Sequence, residues 1–331
     1  MKAAYIEQFG PPDVIRFGDL PMPRVGPRDV LVRVAAVAVD GIDAYIRSGA
    51  YPVPVPMPFI IGRDLVGTVV ETGPEVAEFR PGDWVWANNQ GYDGRQGSFS
   101  EYCAVEQDLL YPLPEDLDPL LAAAVLHSGL TAVLALQFKA RLQSKETVFI
   151  NGGAGNVGAA ALGIAKALGA RVAVTAGGPE KAEWCRKSGA DRVIDYRGED
   201  VRRALREFAP GGVDVYLDTT RQFDGDLAVE SIARRGRILV IAGLAARTLL
   251  PVGRFYQRNA TLYGFTVTDA TTEELATYAI EINRWLAQGA LPARIACRLP
   301  LSQAAEAHRL LEAGGVFGKI VLAPGEGTHG N

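Results

Sequence analysis

The sequence predicts a mixed α/β fold in which a β-rich, barrel-like domain is interrupted by a doubly wound parallel sheet. Three observations carry this: short β-branched runs between Pro and Gly turns over the first 120 residues or so, a strand–helix alternation from about Leu120 onward, and a glycine-rich turn joining the first strand and helix of that alternation. At 331 residues the chain is about twice an ordinary single domain, so two hydrophobic cores are expected. Lys and Arg (34) nearly balance Asp and Glu (38), and the signs are interspersed, which argues against a nucleic-acid-binding or anionic-membrane surface. Hydrophobic content of 48% with 22% charged residues excludes disordered and fibrous classes.

Taken in order, the N-terminal segment MKAAYIEQFGPPDVI lacks the apolar core and small-residue cleavage site of a signal peptide. No later apolar run is expected to approach the roughly 20 residues that span a bilayer, so a cytoplasmic address follows. Runs at 30–34, 67–71 and 84–87 read as strands between turn signals. Pro52, Pro54, Pro56 and Pro58 alternate through 51–59, where fixed φ and missing donors forbid a helix and favour an extended surface segment. Strands of the second region are expected at 148–151, 171–175, 192–195, 213–218, 237–242 and 261–267, each apolar on both faces as buried parallel strands are. Val157, Ala160, Ala161, Ile164, Ala165 and Leu168 repeat at helical spacing, and Gly169 ends that helix. Val201, Ala204, Leu205 and Phe208 do the same, with Arg202, Arg203 and Arg206 on a solvated face. Beyond the sixth strand, two amphipathic helices (Leu275 to Leu286 and Ala304 to Leu311) and a strand at 318–324 are too few for a third domain. The chain is therefore expected to return to its first domain, giving 1–120 with 263–331 around an inserted 121–262. Cys103, Cys185 and Cys297 are odd in number and far apart, which suits plain buried or half-buried thiols rather than disulfides or a zinc knuckle.

The sharpest motif is 148-VFINGGAGNVGAAALGIAKALGA-170. Gly153, Gly155 and Gly158 fit GxGxxG where a strand ends at Asn151 and a helix starts near Asn156. The first glycine is expected to permit the tight turn, the second to let backbone approach a pyrophosphate, and the third to let helix and strand pack closely. The helix N-terminus supplies unpaired N–H groups to the anion. The next strand selects the dinucleotide: where an NAD site usually ends in a carboxylate for the ribose 2′-hydroxyl, this chain has Ala176, Gly177 and Gly178. Lys181 follows at a helix start, and Tyr196 and Arg197 follow the third strand, so NADPH is the expected cofactor.

These residues sit in a chain that resembles the medium-chain dehydrogenase/reductase superfamily, and within it the zinc-free quinone oxidoreductases related to zeta-crystallin. The resemblance runs nearly end to end through 1-MKAAYIEQFGPPDVI-15, 26-GPRDVLVRV-34, 43-DAYIRSGAYP-52, 62-GRDLVGTV-69, 81-PGDWV-85, 97-GSFSEY-102, 129-GLTA-132, the glycine turn, 189-GADRVIDY-196 and 318-GKIVL-322. It implies a GroES-like catalytic domain split around a Rossmann domain, with the nicotinamide in the cleft between them. It also implies cofactor contacts at Thr131, Asn156, Val157, Gly243 and Lys319. Zinc-dependent members carry Cys, His-Glu and Cys at the positions of Asp40, Arg63-Asp64 and His127, and a four-cysteine lobe absent from this sequence. A permanently cationic Arg63 opposes Zn²⁺, so no metal is expected, although Asp40 and His127 remain potential ligands.

Quinone reduction needs hydride delivery, stabilisation of the oxygen that gains charge, and a proton that water can supply. Tyr45 matches a family tyrosine that orients or donates to the substrate carbonyl. Asp40 departs from a family asparagine, and an anion there is unhelpful unless it is protonated or paired with Arg63. His127, read at a helix start, is a second candidate donor or a structural residue. Thr131, read as helix-initiating, needs no function to explain it. The expected activity is an NADPH-dependent quinone reductase. An enoyl or alkenal reductase is the alternative, and a nucleotide-binding protein without turnover is a third reading resting only on Asp40. The segment 259–267 lacks Pro and Lys and is placed as a sheet edge, so a homodimer through this strand is expected, unless 251–258 covers the edge.

Overall fold

The structure, a computed structural model, describes residues 1–114, 116–241 and 243–325. The chain divides into two compact units, Met1–His127 with Ala270–Ala287 and Ala293–Asn331, and Ser128–Asp269 with Gln288–Pro292.

The first unit opens with β1 (Lys2–Ile6), β2 (Arg16–Asp19) and β3 (Asp29–Val39), then α1 (Gly41–Ser48). Strands β4 (Phe59–Ile60), β5 (Leu65–Thr72), β6 (Trp84–Ala87), β7 (Tyr102–Glu106) and β8 (Leu110–Pro112) follow, and then α2 (Pro119–Val133), whose residues from Ser128 belong to the second unit. β3 is long, β-branched and buried along most of its length because it is paired on both edges, with β5, β7 and, through Val37–Val39, the last strand of the chain. Gly67 on β5 permits that pairing at close range: a Cβ there would lie 2.3 Å from the Arg33 carbonyl oxygen. The segment 51–58 has no regular structure and is largely solvent-facing, as its prolines dictate.

The second unit alternates β9 (Thr147–Asn151), α3 (Asn156–Ala167), β10 (Arg171–Ala176), α4 (Pro179–Lys187), β11 (Arg192–Asp195), α5 (Val201–Phe208), β12 (Val213–Asp218), α6 (Gly225–Ser231), β13 (Ile232–Val240), α7 (Val252–Gln257) and β14 (Thr261–Gly264). All five strand pairs are parallel, in the order β11-β10-β9-β12-β13-β14, the doubly wound order with its reversal between β9 and β12. All six strands expected from the sequence are present. β13 begins five residues earlier than expected and carries an irregularity opposite β12, with Arg235 at φ 61°. Gly169 closes α3 at φ 81°, a left-handed position that a glycine takes without Cβ strain. The chain then returns to the first unit with α8 (Thr272–Ala287), β15 (Ile295–Pro300), α9 (Ala304–Ala313) and β16 (Lys319–Ala323), and β16 joins β3. Cys103 and Cys185 are buried free thiols and Cys297 is half-buried.

Two sequence expectations need correction here. The helical stretch Pro119–Lys139, α2 continued by a wider π-type turn, is 21 residues long and apolar enough to cross a membrane, against the expectation that no run approached that length. It is a core helix, because 78% of its most apolar stretch is buried inside the protein. The same helix moves His127 and Thr131 from helix starts to a helix interior, since α2 begins at Pro119. The sequence hid this because the run is apolar all round and lacks the one-sided stripe that marks a surface helix.

Candidate active site

The glycine turn lies at the carboxyl end of β9, next to the reversal of strand order, where open parallel sheets place their ligands. Its geometry divides the work differently from the sequence reading. The left-handed residue of the turn is Gly152, at φ 93°, not Gly153. Gly153 is required by packing, since a Cβ there would lie 2.4 Å from the Val174 Cβ on β10. At Gly158 a Cβ would lie 2.1 Å from the Gly152 carbonyl oxygen, so only glycine lets α3 approach the turn this closely. Gly155 is exposed, and the nearest atom to its absent Cβ is the Gly152 carbonyl oxygen at 3.3 Å, so its face of the turn is open to a ligand. Asn156 and Val157 open α3 directly after it and offer its first unpaired N–H groups.

A polar network absent from the sequence reading holds this turn. Thr175 Oγ1 accepts from the Gly152 N–H at 2.8 Å and donates to Asn151 Oδ1 at 2.7 Å, and Asn151 Nδ2 donates to Asp218 Oδ2 at 2.9 Å. Polar residues at the carboxyl ends of three buried strands, Asn151, Thr175 and Asp218, were the available signal. The empty-handed approach at Gly155, the packed Gly158 and the helix N-terminus together fit a dinucleotide pyrophosphate.

At the end of β10, Gly178 has φ 88° and caps α4, with Lys181 in the first turn of that helix. The Tyr196 phenol packs over Gly177, where a Cβ would lie 2.4 Å from its oxygen. The Arg197 guanidinium comes within 3.4 Å of the Cβ position of Gly178. Asp195 is the nearby carboxylate, and one of its oxygens accepts from the backbone N–H groups of Gly178 (3.3 Å) and Arg197 (3.1 Å). Tyr196 and Arg197 thus face the glycine pair, and Lys181 follows it in the first turn of α4. Gly243, at φ 87°, turns the chain after β13.

The first unit buries a second polar group of residues. Asp40 caps α1 and its backbone N–H donates to Asp43 Oδ2 at 2.7 Å, one half of a capping box. Its carboxylate is ion-paired with Lys319 on β16, not with Arg63, and Lys319 is 2% exposed. Lys319, a cofactor contact by the resemblance, is the counter-ion of Asp40 here. Arg63, 1% exposed, donates to Asn89 Oδ1 and lies over the Tyr92 ring at 5.7 Å. Asn88 donates to Asp64 Oδ1 and faces His127 Nδ1 at 3.4 Å. Tyr45 is half-buried on α1, five residues beyond Asp40.

Burial dominates the titration of these groups. It pushes Asp40 upward, but the charge and hydrogen bond of Lys319, with the charge of Arg63, outweigh it and hold the carboxyl below the usual range, so Asp40 is an anion and not the protonated acid the sequence allowed. Burial and then the Asp40 charge raise Asp43 to about 8. Asp64 is driven well above the ordinary carboxylate range by burial first and Asp40 second. Burial lowers His127 to about 4, which leaves a neutral imidazole at neutral pH.

Asp40, Asp64 and His127 bring one ligand atom each within 4.8 Å of one another, which tests the zinc question directly. One Asp40 oxygen holds the Lys319 ammonium and one Asp64 oxygen holds the Asn88 amide, the second oxygen of each is buried without a partner, and the Lys319 and Arg63 cations buried beside them oppose a divalent ion.

A GroES-like β unit combined with a six-stranded parallel Rossmann-type sheet, bearing a glycine turn at its reversal, defines a two-unit oxidoreductase class. The chain belongs to the medium-chain dehydrogenase/reductase superfamily. Residues 26–115 match the alcohol dehydrogenase GroES-like domain family and residues 156–283 match the family described as zinc-binding dehydrogenase. The latter match excludes Asp40, Arg63, Asp64 and His127. The chain is 33% identical to a quinone oxidoreductase of Pseudomonas aeruginosa over 96% of its own length and 97% of that protein. Among solved structures, an NAD-dependent alcohol dehydrogenase superposes with TM-score 0.88 at 30% identity, covering 98% of this chain and 99% of the other. An Escherichia coli quinone oxidoreductase complexed with NADPH superposes with TM-score 0.86 at 27% identity, covering 98% and 100%.

Proposed function

We propose that this oxidoreductase is a soluble, cytoplasmic, zinc-independent NADPH:quinone reductase. The observation that carries the reading is the buried Asp40–Lys319 pair with Arg63 nearby, whose cations disfavour a divalent metal at these carboxylates. Full-length similarity to quinone oxidoreductases supports the acceptor class. NADPH, held by the turn from Gly153 to Gly158 and by Gly177, Lys181 and Tyr196, supplies a hydride. Gly243 and Thr131 are proposed as further cofactor contacts. On the acceptor side the oxygen that gains charge is stabilised by the Arg63 guanidinium, and Tyr45 or His127 donates a hydrogen bond to it. Asp40, neutralised by Lys319, no longer opposes that charge.

NADPH is expected to bind at least about tenfold more tightly than NADH, a difference near 1.4 kcal/mol. Lys181→Ala should remove most of that preference, as read by quenching or enhancement of dinucleotide fluorescence. Equal dissociation constants in the wild type would refute the cofactor assignment. NADPH oxidation measured with quinones, enones and enoyl thioesters in parallel tests the acceptor: rapid turnover only with the thioesters or enones would replace the quinone reading with the alternative.

We further propose a homodimer through β14. That strand pairs with β13 alone, Leu262 on it is 40% exposed, and Leu249, Val252 and Tyr256 of the same unit are 84%, 63% and 64% exposed. α7 therefore leaves apolar surface bare, and pairing of two β14 strands about a twofold axis closes the edge. Light scattering should return about twice the 35.4 kDa chain mass, and Tyr263→Pro should give monomer or insoluble protein. A monodisperse wild-type monomer at micromolar concentration would remove the proposal.

A further inference from the structure

We propose that Thr175 and Thr219 are positioning residues of the phosphate turn: two hydroxyls, one on β10 and one directly after β12, clamp the peptide between Asn151 and Gly152 and so set the course of the backbone whose N–H groups receive the pyrophosphate. The effect on cofactor affinity rests on the dinucleotide reading above, whereas the clamp itself does not.

β9 lies between β10 and β12, and its ladder with both neighbours ends where Ile150 is paired with Val174 and Asn151 with Asp218. One residue further on the chain leaves the sheet, and threonine side chains take over part of the hydrogen bonding. On one flank the Gly152 N–H donates to Thr175 Oγ1 at 2.8 Å, and the Gly153 N–H donates to the Thr175 carbonyl at 2.9 Å. On the other flank the Asn151 carbonyl accepts from Thr219 Oγ1 at 2.8 Å and from the Thr219 N–H at 3.1 Å. The N–H and the carbonyl of a single peptide unit are thus held from opposite sides. Donor and acceptor are unambiguous in all four bonds, because a backbone N–H only donates and a carbonyl only accepts.

The next peptide is tied as well, since the Gly152 carbonyl accepts from the Gly155 N–H at 3.0 Å and lies 3.3 Å from Thr219 Oγ1. With both peptide planes around its Cα fixed, Gly152 is kept at φ 93°, a left-handed position open to glycine. Thr219 Oγ1 also takes the space a side chain would need there, because a Cβ on Gly152 would lie 2.6 Å from it. Thr175 is 2% exposed, so water has little access to replace its hydroxyl. The N–H groups of Gly152, Gly153 and Gly155 are all engaged inside the turn, and those of Asn156 and Val157, at the start of α3, are left for an anion.

Valine removes each hydroxyl at nearly constant shape and suits a strand. Thr175→Val should weaken NADPH and NADH binding by the same factor, about three- to tenfold, the range one hydrogen bond supports, because the two dinucleotides share the pyrophosphate. KM for NADPH should rise with it while kcat at saturating cofactor falls by less than about twofold, a split that a mere loss of folded protein does not produce. Thr219→Val should weaken binding less, since the Thr219 N–H still holds the Asn151 carbonyl. Thr175→Ser and Thr219→Ser keep the hydroxyl and should bind within about twofold of the wild type. Wild-type affinity in Thr175→Val, or a fall in kcat with KM unmoved, would overturn the proposal. If the valine variants do not fold, amide hydrogen exchange of the full-length wild type without cofactor decides: slow exchange at Gly152 upholds the clamp, and exchange as fast as at Asn156 and Val157 overturns it. A wild type that binds neither dinucleotide yet protects the Gly152 N–H would overturn the cofactor reading and leave the clamp standing.

Discussion

Lys319→Met is expected to destabilise the first unit by about 3–5 kcal/mol, the cost of stranding a buried charge. The Asp40 side chain is 9% exposed and that of Lys319 2%, so neither can recover its hydration when the other is removed. Asp40 then has two ways to respond: it stays ionised in a poor medium, or it takes up a proton, and either uses free energy that the ion pair now supplies. Asp40→Asn alone should also destabilise, because it leaves the ammonium buried. The double variant Asp40→Asn, Lys319→Met should recover most of the loss, since a buried pair replaced as a unit is often close to neutral. Thermal melts of the four proteins check this as a double-mutant cycle. Additive losses, with no recovery in the double variant, would show that each residue is held by something other than its partner.

Gly158→Ala is expected to have the largest effect on cofactor binding, with a drop in NADPH affinity of more than about tenfold and a stability loss of about 1–3 kcal/mol. The added methyl would meet the Gly152 carbonyl oxygen at 2.1 Å and its carbon at 2.9 Å, both backbone atoms of the phosphate turn that cannot rotate aside. The helix must back away from the turn, and its first N–H groups move with it. Gly155→Ala is the informative contrast: its methyl would come no nearer than 3.3 Å to the Gly152 carbonyl oxygen, so it should melt closer to the wild-type temperature than Gly158→Ala, yet bind NADPH more weakly because it adds bulk at an exposed position of the turn. Fluorescence titration and thermal melts on the same samples separate the two effects. Full NADPH affinity in Gly158→Ala would show that the turn can relax, and would remove close packing as its purpose.

The six parallel strands, the glycine turn and the run Ala176-Gly177-Gly178 after β10 were legible because each depends on residues close in sequence. Strand and helix periods are local, and a GxGxxG turn is a property of a few consecutive residues, so β9, α3 and the parallel strands around them follow from composition and spacing. The same locality explains the misplacements. α2 buries nearly all its faces and therefore has no stripe to read, so His127 and Thr131 seemed to stand at a helix start. The left-handed position of Gly152 was invisible because two adjacent glycines are equivalent until φ is known.

By itself the amino-acid sequence determined that this protein has a GroES-like β unit and a doubly wound sheet, with a turn of glycines between the sheet's first strand and helix and only three cysteines, far apart. Only the tertiary structure decided which charges face one another. Asp40 and Lys319 are 279 positions apart, and they meet because β16 pairs with β3, whose end leads into Asp40 and α1. Asn88 reaches Asp64 and His127 across 24 and 39 positions for a similar reason, since it follows β6, which is paired with β5. Electrostatic interaction depends on distance and burial, neither of which a linear order of residues contains, so the partner of each buried charge became legible only once the strands were paired.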